Sequence, residues 1–193
     1  MIIDISQEVF SCKVYPGDPE PELYRIQAME DGELYNLSAF SMCTHNGTHV
    51  DAPAHFLQQG KTIERMELEA FVGSCYVAKC DGYISVEEAE DILLRAKVCG
   101  AEERILIAGP AVVSLEAAEV FANAGIKLLG NESQSVGPEE APMAVHLLLL
   151  RANIVLLEGI VLSHVEEGKY TLYAAPLNLA GCEGAPCRAI LIK

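Results

Sequence analysis

The chain has no tryptophan, and only 6% of its 193 residues are aromatic. An aromatic wall around a ligand must therefore be built from tyrosine or phenylalanine. Basic residues are also scarce: 13 Lys and Arg stand against 28 Asp and Glu, for a net charge of -15. Such a surface repels phosphate backbones and holds no basic patch, so nucleic acid is excluded as a partner. Hydrophobic residues make up 51% of the chain, yet no run approaches the ~18 consecutive apolar residues of a membrane span. Neither G-x-G-x-x-G nor G-x-x-x-x-G-K-[ST] occurs, which removes the common nucleotide-binding loops. H-E-x-x-H, the commonest zinc peptidase pattern, is missing as well. The seven cysteines form no Cys-x-x-Cys pair, which argues against a zinc ribbon or a thioredoxin motif. Cys182 and Cys187 bracket Glu-Gly-Ala-Pro and are near enough to meet across a turn, but free thiols in a reducing cytoplasm are the expected state. Met1-Ile2-Ile3-Asp4-Ile5-Ser6 lacks a basic start and a cleavage site, and reads as a first strand rather than a signal peptide.

Histidine is rare too, with five in the chain, and three of them fall within eleven residues. That run is His45-Asn46-Gly47-Thr48-His49-Val50-Asp51-Ala52-Pro53-Ala54-His55. Imidazole and carboxylate are favoured ligands of divalent zinc, manganese and iron. Gly47, the β-branched Thr48 and Val50, and Pro53 argue against a helix here. A straight strand fails as well. At about 3.3 Å per residue it would set His45 and Asp51 roughly 20 Å apart, whereas a metal sits only about 2 Å from each ligand atom. The segment must bend, with Gly47 and Pro53 as the natural places, so that its side chains converge.

A second polar pair lies far along the chain. His146 falls on a predicted helix among Val145 and Leu147 to Leu150. Glu158 interrupts the most apolar stretch, Ile154 to Leu162, where an unpaired carboxylate would be costly. A helix followed by a returning strand brings the two together, and a shared cation would satisfy both. His164 has no such partner and is expected to be solvated.

The length suits one domain, spanning 1–193. Strands are expected over 2–9, 35–42, 104–109, 126–129, 154–162 and 188–192. Ser85 with Glu88 forms a capping box ahead of a helix through Lys97. Ser114 caps a second helix, which Gly125 ends. A third runs from Ala141 to Arg151. The alternation of strand and helix in the middle predicts parallel pairing, hence an α/β fold with a mixed sheet and flanking helices.

The signature His45-x-Gly-Thr-His49-x-Asp51-x-Pro-x-His55 resembles that of the cyclase family of metal-dependent hydrolases. Supporting likenesses extend over nearly the whole chain: the loop Tyr15-Pro-Gly-Asp18, the twelve-residue step from His146 to Glu158, and the ending Pro176-Leu-Asn-Leu-Ala-Gly-Cys-Glu-Gly-Ala-Pro-Cys-Arg-Ala. The resemblance implies a swivelling β/β/α domain, assembled as a homodimer or higher oligomer. It implies that His45, His49 and Asp51 hold one divalent metal, and that Asp51, His146 and Glu158 hold a second. Zinc is the expected metal and manganese the alternative. His55 would be the catalytic acid/base. The implied activity is hydrolysis of a small amide, as in the release of formate from N-formylkynurenine in tryptophan catabolism. Tyr15 stands where the family's formamidases usually carry Trp, which sets it against the substrate. That replacement keeps a cyclic amide, isatin-type or lactone ring hydrolase in view, beside a metal-binding protein without turnover. Glu132 stands where the family often has Asp, a change expected to act on loop geometry.

Overall fold

The computed structural model describes residues 1–193. Its strands are β1 (Ile2–Asp4), β2 (Glu22–Gln27), β3 (Leu37–Ser41), β4 (His49–Asp51), β5 (Val72–Lys79), β6 (Gly82–Ile84) and β7 (Arg104–Ala108). They continue with β8 (Ala111–Val113), β9 (Leu128–Asn131), β10 (Val155–Glu158), β11 (Gly168–Tyr173), β12 (Gly184–Pro186) and β13 (Ile190–Ile192). Three helices complete the fold: α1 (Val86–Val98), α2 (Leu115–Ala124) and α3 (Met143–Arg151).

Nine strands form one mixed sheet in the order β1-β13-β11-β5-β7-β9-β10-β4-β12. Its centre, β5-β7-β9-β10, is parallel, as the strand–helix alternation predicts, and antiparallel strands extend it on both sides. The central strands are apolar on both faces, the usual state of a parallel sheet covered on each side. Side chains alternate along each strand. Val77, Leu106, Val155 and Leu157 enter one core with Ile5, Val50 and Phe71. Tyr76, Ala78, Ile105, Ile107 and Leu156 enter the other, beneath the three helices.

The expected helices form with small shifts. Ser85 and Glu88 make the reciprocal capping box of α1, and Gly125 closes α2 in the left-handed conformation. Helix α3 starts at Met143 rather than Ala141. The first strand stops at Asp4, short of the expected Val9, and a 3-10 turn occupies Val9–Ser11. The strand expected through Leu162 ends at Glu158, because Gly159 takes φ +65°. Any Cβ on Gly159 would meet the Gly47 carbonyl at 2.3 Å, so two loops close there only through glycine. Strands β2, β5, β6, β8, β11 and β12 lie outside the segments whose sequence pattern predicts a strand. The cysteines are all free, and no helix is long and apolar enough to cross a membrane.

Candidate metal and active site

The sheet register assembles the first half of the site. In β4, His49 and Asp51 share one side while Val50 points into the opposite core. Strand β10 pairs antiparallel with β4, setting Glu158 opposite His49 and Leu156 opposite Asp51. Leu156 belongs to the core beneath the helices, so the acids and His49 face that side as well. Helix α3 lowers His146 onto them, its Nε2 3.2 Å from Glu158 Oε1 and 3.7 Å from Asp51 Oδ2.

The bend needed by the histidine run occurs at the two expected residues. Gly47 adopts φ +65°, and Pro53 opens the 3-10 turn Pro53–His55. His45 thereby curls back, with Nδ1 2.8 Å from Asp51 Oδ1. His55 arrives from the other side, its Nε2 3.9 Å from Asp51 Oδ2. Asp51, fully buried, lies among four imidazoles. His164 stays apart at the surface, hydrogen-bonded to the Asp4 carbonyl.

Ring orientations are fixed from behind. The Nδ1 of His49 donates to the Gly47 carbonyl at 3.0 Å, and that of His146 to the Pro142 carbonyl at 2.9 Å. Each ring therefore presents Nε2 to the carboxylates, the arrangement usual for metal-ligating histidines. Two groups have ligand atoms within 4.8 Å of one another: His45, His49 and Asp51, and Asp51, His146 and Glu158. Asp51 Oδ2 is buried without a hydrogen-bond partner. A buried carboxylate oxygen left unpaired is expensive, and a cation shared between the groups relieves it. The donor set of imidazole and carboxylate fits a divalent ion.

The electrostatics carry the same imprint. Burial opposes charge on His45, but the Asp51 hydrogen bond and charge, with Glu183 and Glu158, outweigh it and raise its pKa to about 9. Burial likewise disfavours charge on His146, and Glu158 overrides it to move the pKa up. Asp51 is driven down against its own burial by His45, His49 and His55. His55 behaves oppositely. Burial, aided by the neighbouring His45 and His146, pushes it below the ordinary imidazole value despite Asp51. It is shifted toward its neutral form, whereas His45 and His146 are shifted toward the charged one.

A cavity of about 230 Å³ opens onto this centre, lined by the four histidines, Glu158, Tyr15, Asp18, Phe56, Gln134, Ser135 and Pro142. That volume is below the roughly 300 Å³ at which ligand pockets usually begin, which suits a small substrate. Tyr15 does reach the cavity, and its hydroxyl donates to the Glu139 carbonyl at 2.9 Å. A larger groove of about 840 Å³ runs alongside and shares Ser135, but none of the four histidines lines it.

Several residues here escaped the sequence reading. Phe56 packs its edge on His55, with centroids 4.5 Å apart, and lies 4.9 Å from the His146 ring. Glu183 accepts from Thr44 at 2.7 Å and sits 3.2 Å from His45 Nε2. Gln134 is buried with neither amide atom hydrogen-bonded. The signal for Glu183 was its place in the C-terminal loop; a lone Gln in a polar loop offers none. Glu132 acts as a staple, accepting from Gly109 N and Leu162 N at 2.7 Å each, and takes no part in the metal groups. Cys43 also stands outside them, its Sγ 3.8 Å from Asp18.

The sequence profile of the Cyclase family matches residues 3–138. Kynurenine formamidase from Erythrobacter litoralis is 33% identical over 98% of this chain and 93% of its own. That from Salinibacter ruber is 32% identical over 98% and 96%. Among solved structures, isatin hydrolase A from Labrenzia aggregata superposes with a TM-score of 0.83 at 20% identity, covering 99% of this chain and 93% of that one. At that identity the likeness concerns the fold.

Proposed function

Because the chain belongs to the Cyclase family, we propose that it is a metal-dependent hydrolase cleaving the carbon–nitrogen bond of a small amide. The proposed substrate is N-formylkynurenine, with kynurenine and formate as products. The observation that carries this reading is the buried Asp51, ringed by four imidazoles, with one oxygen unpaired. His45, His49 and Asp51 would hold one cation; Asp51, His146 and Glu158 would hold another. Zinc is the first candidate and manganese the second, since such ligands suit both. A divalent ion there would supply Lewis acidity, which acidifies water and polarises a carbonyl.

The remaining chemistry falls to the chain's own side chains. His55 belongs to neither ligand group, and its burial with the neighbouring His45 and His146 favours the neutral, proton-accepting form. It would take that proton from the attacking water at Nε2 and return it to the departing nitrogen. Phe56 holds the His55 ring in place. Gln134 lines the cavity with its amide unpaired, and its carbonyl acceptor and N–H donors are the complement of a substrate amide. Tyr15 supplies the aromatic wall. Residues 1–193 would form one functional domain, and the free cysteines suit a reducing cytoplasm.

The test is metal analysis of the purified protein followed by assay of N-formylkynurenine, isatin and simple lactones. Bound metal with hydrolysis of the open formamide is expected. Preference for isatin would favour the ring-hydrolase reading, which the chain's lack of tryptophan motivates. Metal without turnover of any of them would sink the enzymatic reading.

A further inference from the structure

Two hollows meet at one stretch of chain. The catalytic cavity holds about 230 Å³ and the groove beside it about 840 Å³. Pro138, Glu139 and Glu140 line the groove, whereas Pro142 lines the cavity, so the segment between β9 and α3 passes from one to the other. Its far end is fixed. The Pro142 carbonyl accepts from the His146 amide at 3.1 Å and from His146 Nδ1 at 2.9 Å. The opposite bank is the loop after the 3-10 turn Val9–Ser11, with Lys13 in the groove and Tyr15 in the cavity.

Glu139 ties the two banks together. Its Oε1 accepts from Lys13 Nζ at 2.9 Å and from Ser133 Oγ at 3.0 Å. Its carbonyl accepts from the Tyr15 hydroxyl at 2.9 Å. One residue therefore receives a donor from each hollow. The tie is light: the Lys13 and Glu139 side chains are 64% and 45% exposed, and ion pairs so exposed hold weakly. Beneath it Ser135 lines both hollows, buried, with its hydroxyl unpaired. Such a hydroxyl is costly to leave without a partner, and a ligand that crosses from cavity to groove supplies one.

We propose that Glu139 is a specificity-determining latch between the catalytic cavity and the groove. Closed, it confines the site to small amides. Released from Lys13 and Tyr15, it joins the two hollows, and the groove takes the remote end of a longer amide past Ser135. This role rests on the hydrolase reading and adds to it the residue that sets substrate length.

Neutral hydroxamates, which chelate divalent ions, test the latch on metal-loaded protein without any turnover. Acetohydroxamate fits the closed cavity; its phenylbutanoyl analogue reaches beyond it. In calorimetry the long probe should bind the unaltered protein no better than the short one, despite its greater apolar area. Glu139→Ala and Lys13→Ala should each move the ratio of the two dissociation constants about tenfold in favour of the long probe. Glu139→Gln, which keeps a hydrogen-bonding oxygen, should move it less. Glu140→Ala, in the same groove but outside the tie, should not move it. The first two variants act from opposite banks, so either decides the matter if the other misfolds. A ratio unchanged in the Glu139→Ala or Lys13→Ala protein that folds, or a long probe already bound about tenfold better by the unaltered protein, would overturn the latch alone. Failure of acetohydroxamate to bind the unaltered protein would overturn the metal-dependent reading, and the latch with it.

Discussion

The middle of the sheet and its β4–β10 margin are equally buried and chemically opposite. Ile105, Leu106, Leu128 and Leu156 are 0% exposed and wholly apolar, and so is their environment. A few ångströms away His49, Asp51, His146 and Glu158 are no more than 3% exposed and are all ionisable. The first region gains stability from burial, at about 25 cal/mol per Å² of apolar surface. The second works against it, since desolvation is the first obstacle to charge on His45, Asp51, His146 and Glu158. A fold keeps such a patch only when its groups satisfy one another or a ligand. The contrast identifies the margin as the part of the molecule shaped for chemistry.

Substitutions should separate the two regions. Asp51→Asn keeps the volume but removes the ligand common to both metal groups. Bound metal and turnover should both vanish, measured by elemental analysis and formamide hydrolysis. Leu106→Ala, in the dry core, should cost about 2–5 kcal/mol in denaturant unfolding while leaving kcat per folded molecule and metal content unchanged. His55→Ala should keep its metal and lose at least about a hundredfold in kcat; wild-type turnover would remove His55 from the reaction. Gln134→Leu should raise KM by about tenfold, the order of one neutral hydrogen bond, with kcat much less altered.

The smallest effect concerns pH and the metal-free protein. The folded pKa of His45, about 9, lies above the ordinary 6.5. Its contribution to stability is therefore complete below 6.5 and is lost as pH rises through 9. Asp51 is shifted down, so its contribution is present at neutral pH and lost on acidification. The two shifts largely describe one ion pair and are not additive. Chelator-treated protein should melt at progressively lower temperature from pH 6.5 to 9, whereas metal-loaded protein, whose ligand imidazoles are neutral, should show no such decline. A flat profile for the metal-free form would refute the His45–Asp51 pairing.

Helices were easier to foresee than strands, for local reasons. The capping box of Ser85 with Glu88, the Ser114 N-cap and the Gly125 C-cap are each signals contained within about one turn of chain. Strands β11 and β12 hold their places through partners at distant positions, Tyr170 beside Cys75 and Gly184 beside Asp51. Strand β5 gives little signal in the sequence, because Gly73, Ser74 and Cys75 dilute its apolar pattern. The chain Ile154 to Leu162 looked like one strand because hydropathy does not register the turn at Gly159.

Chemistry of the side chains, written in the run from His45 to His55 and in the isolated Glu158, was enough to predict a candidate cation site and the need for a bend. The rest required the fold. Only the β4–β10 register puts Glu158 across from His49, and only the loop between β9 and α3 brings Gln134 to the cavity. Ligand identity is a property of single residues, legible wherever they stand. Convergence is a property of distances between residues remote in sequence, which pairing and packing alone determine.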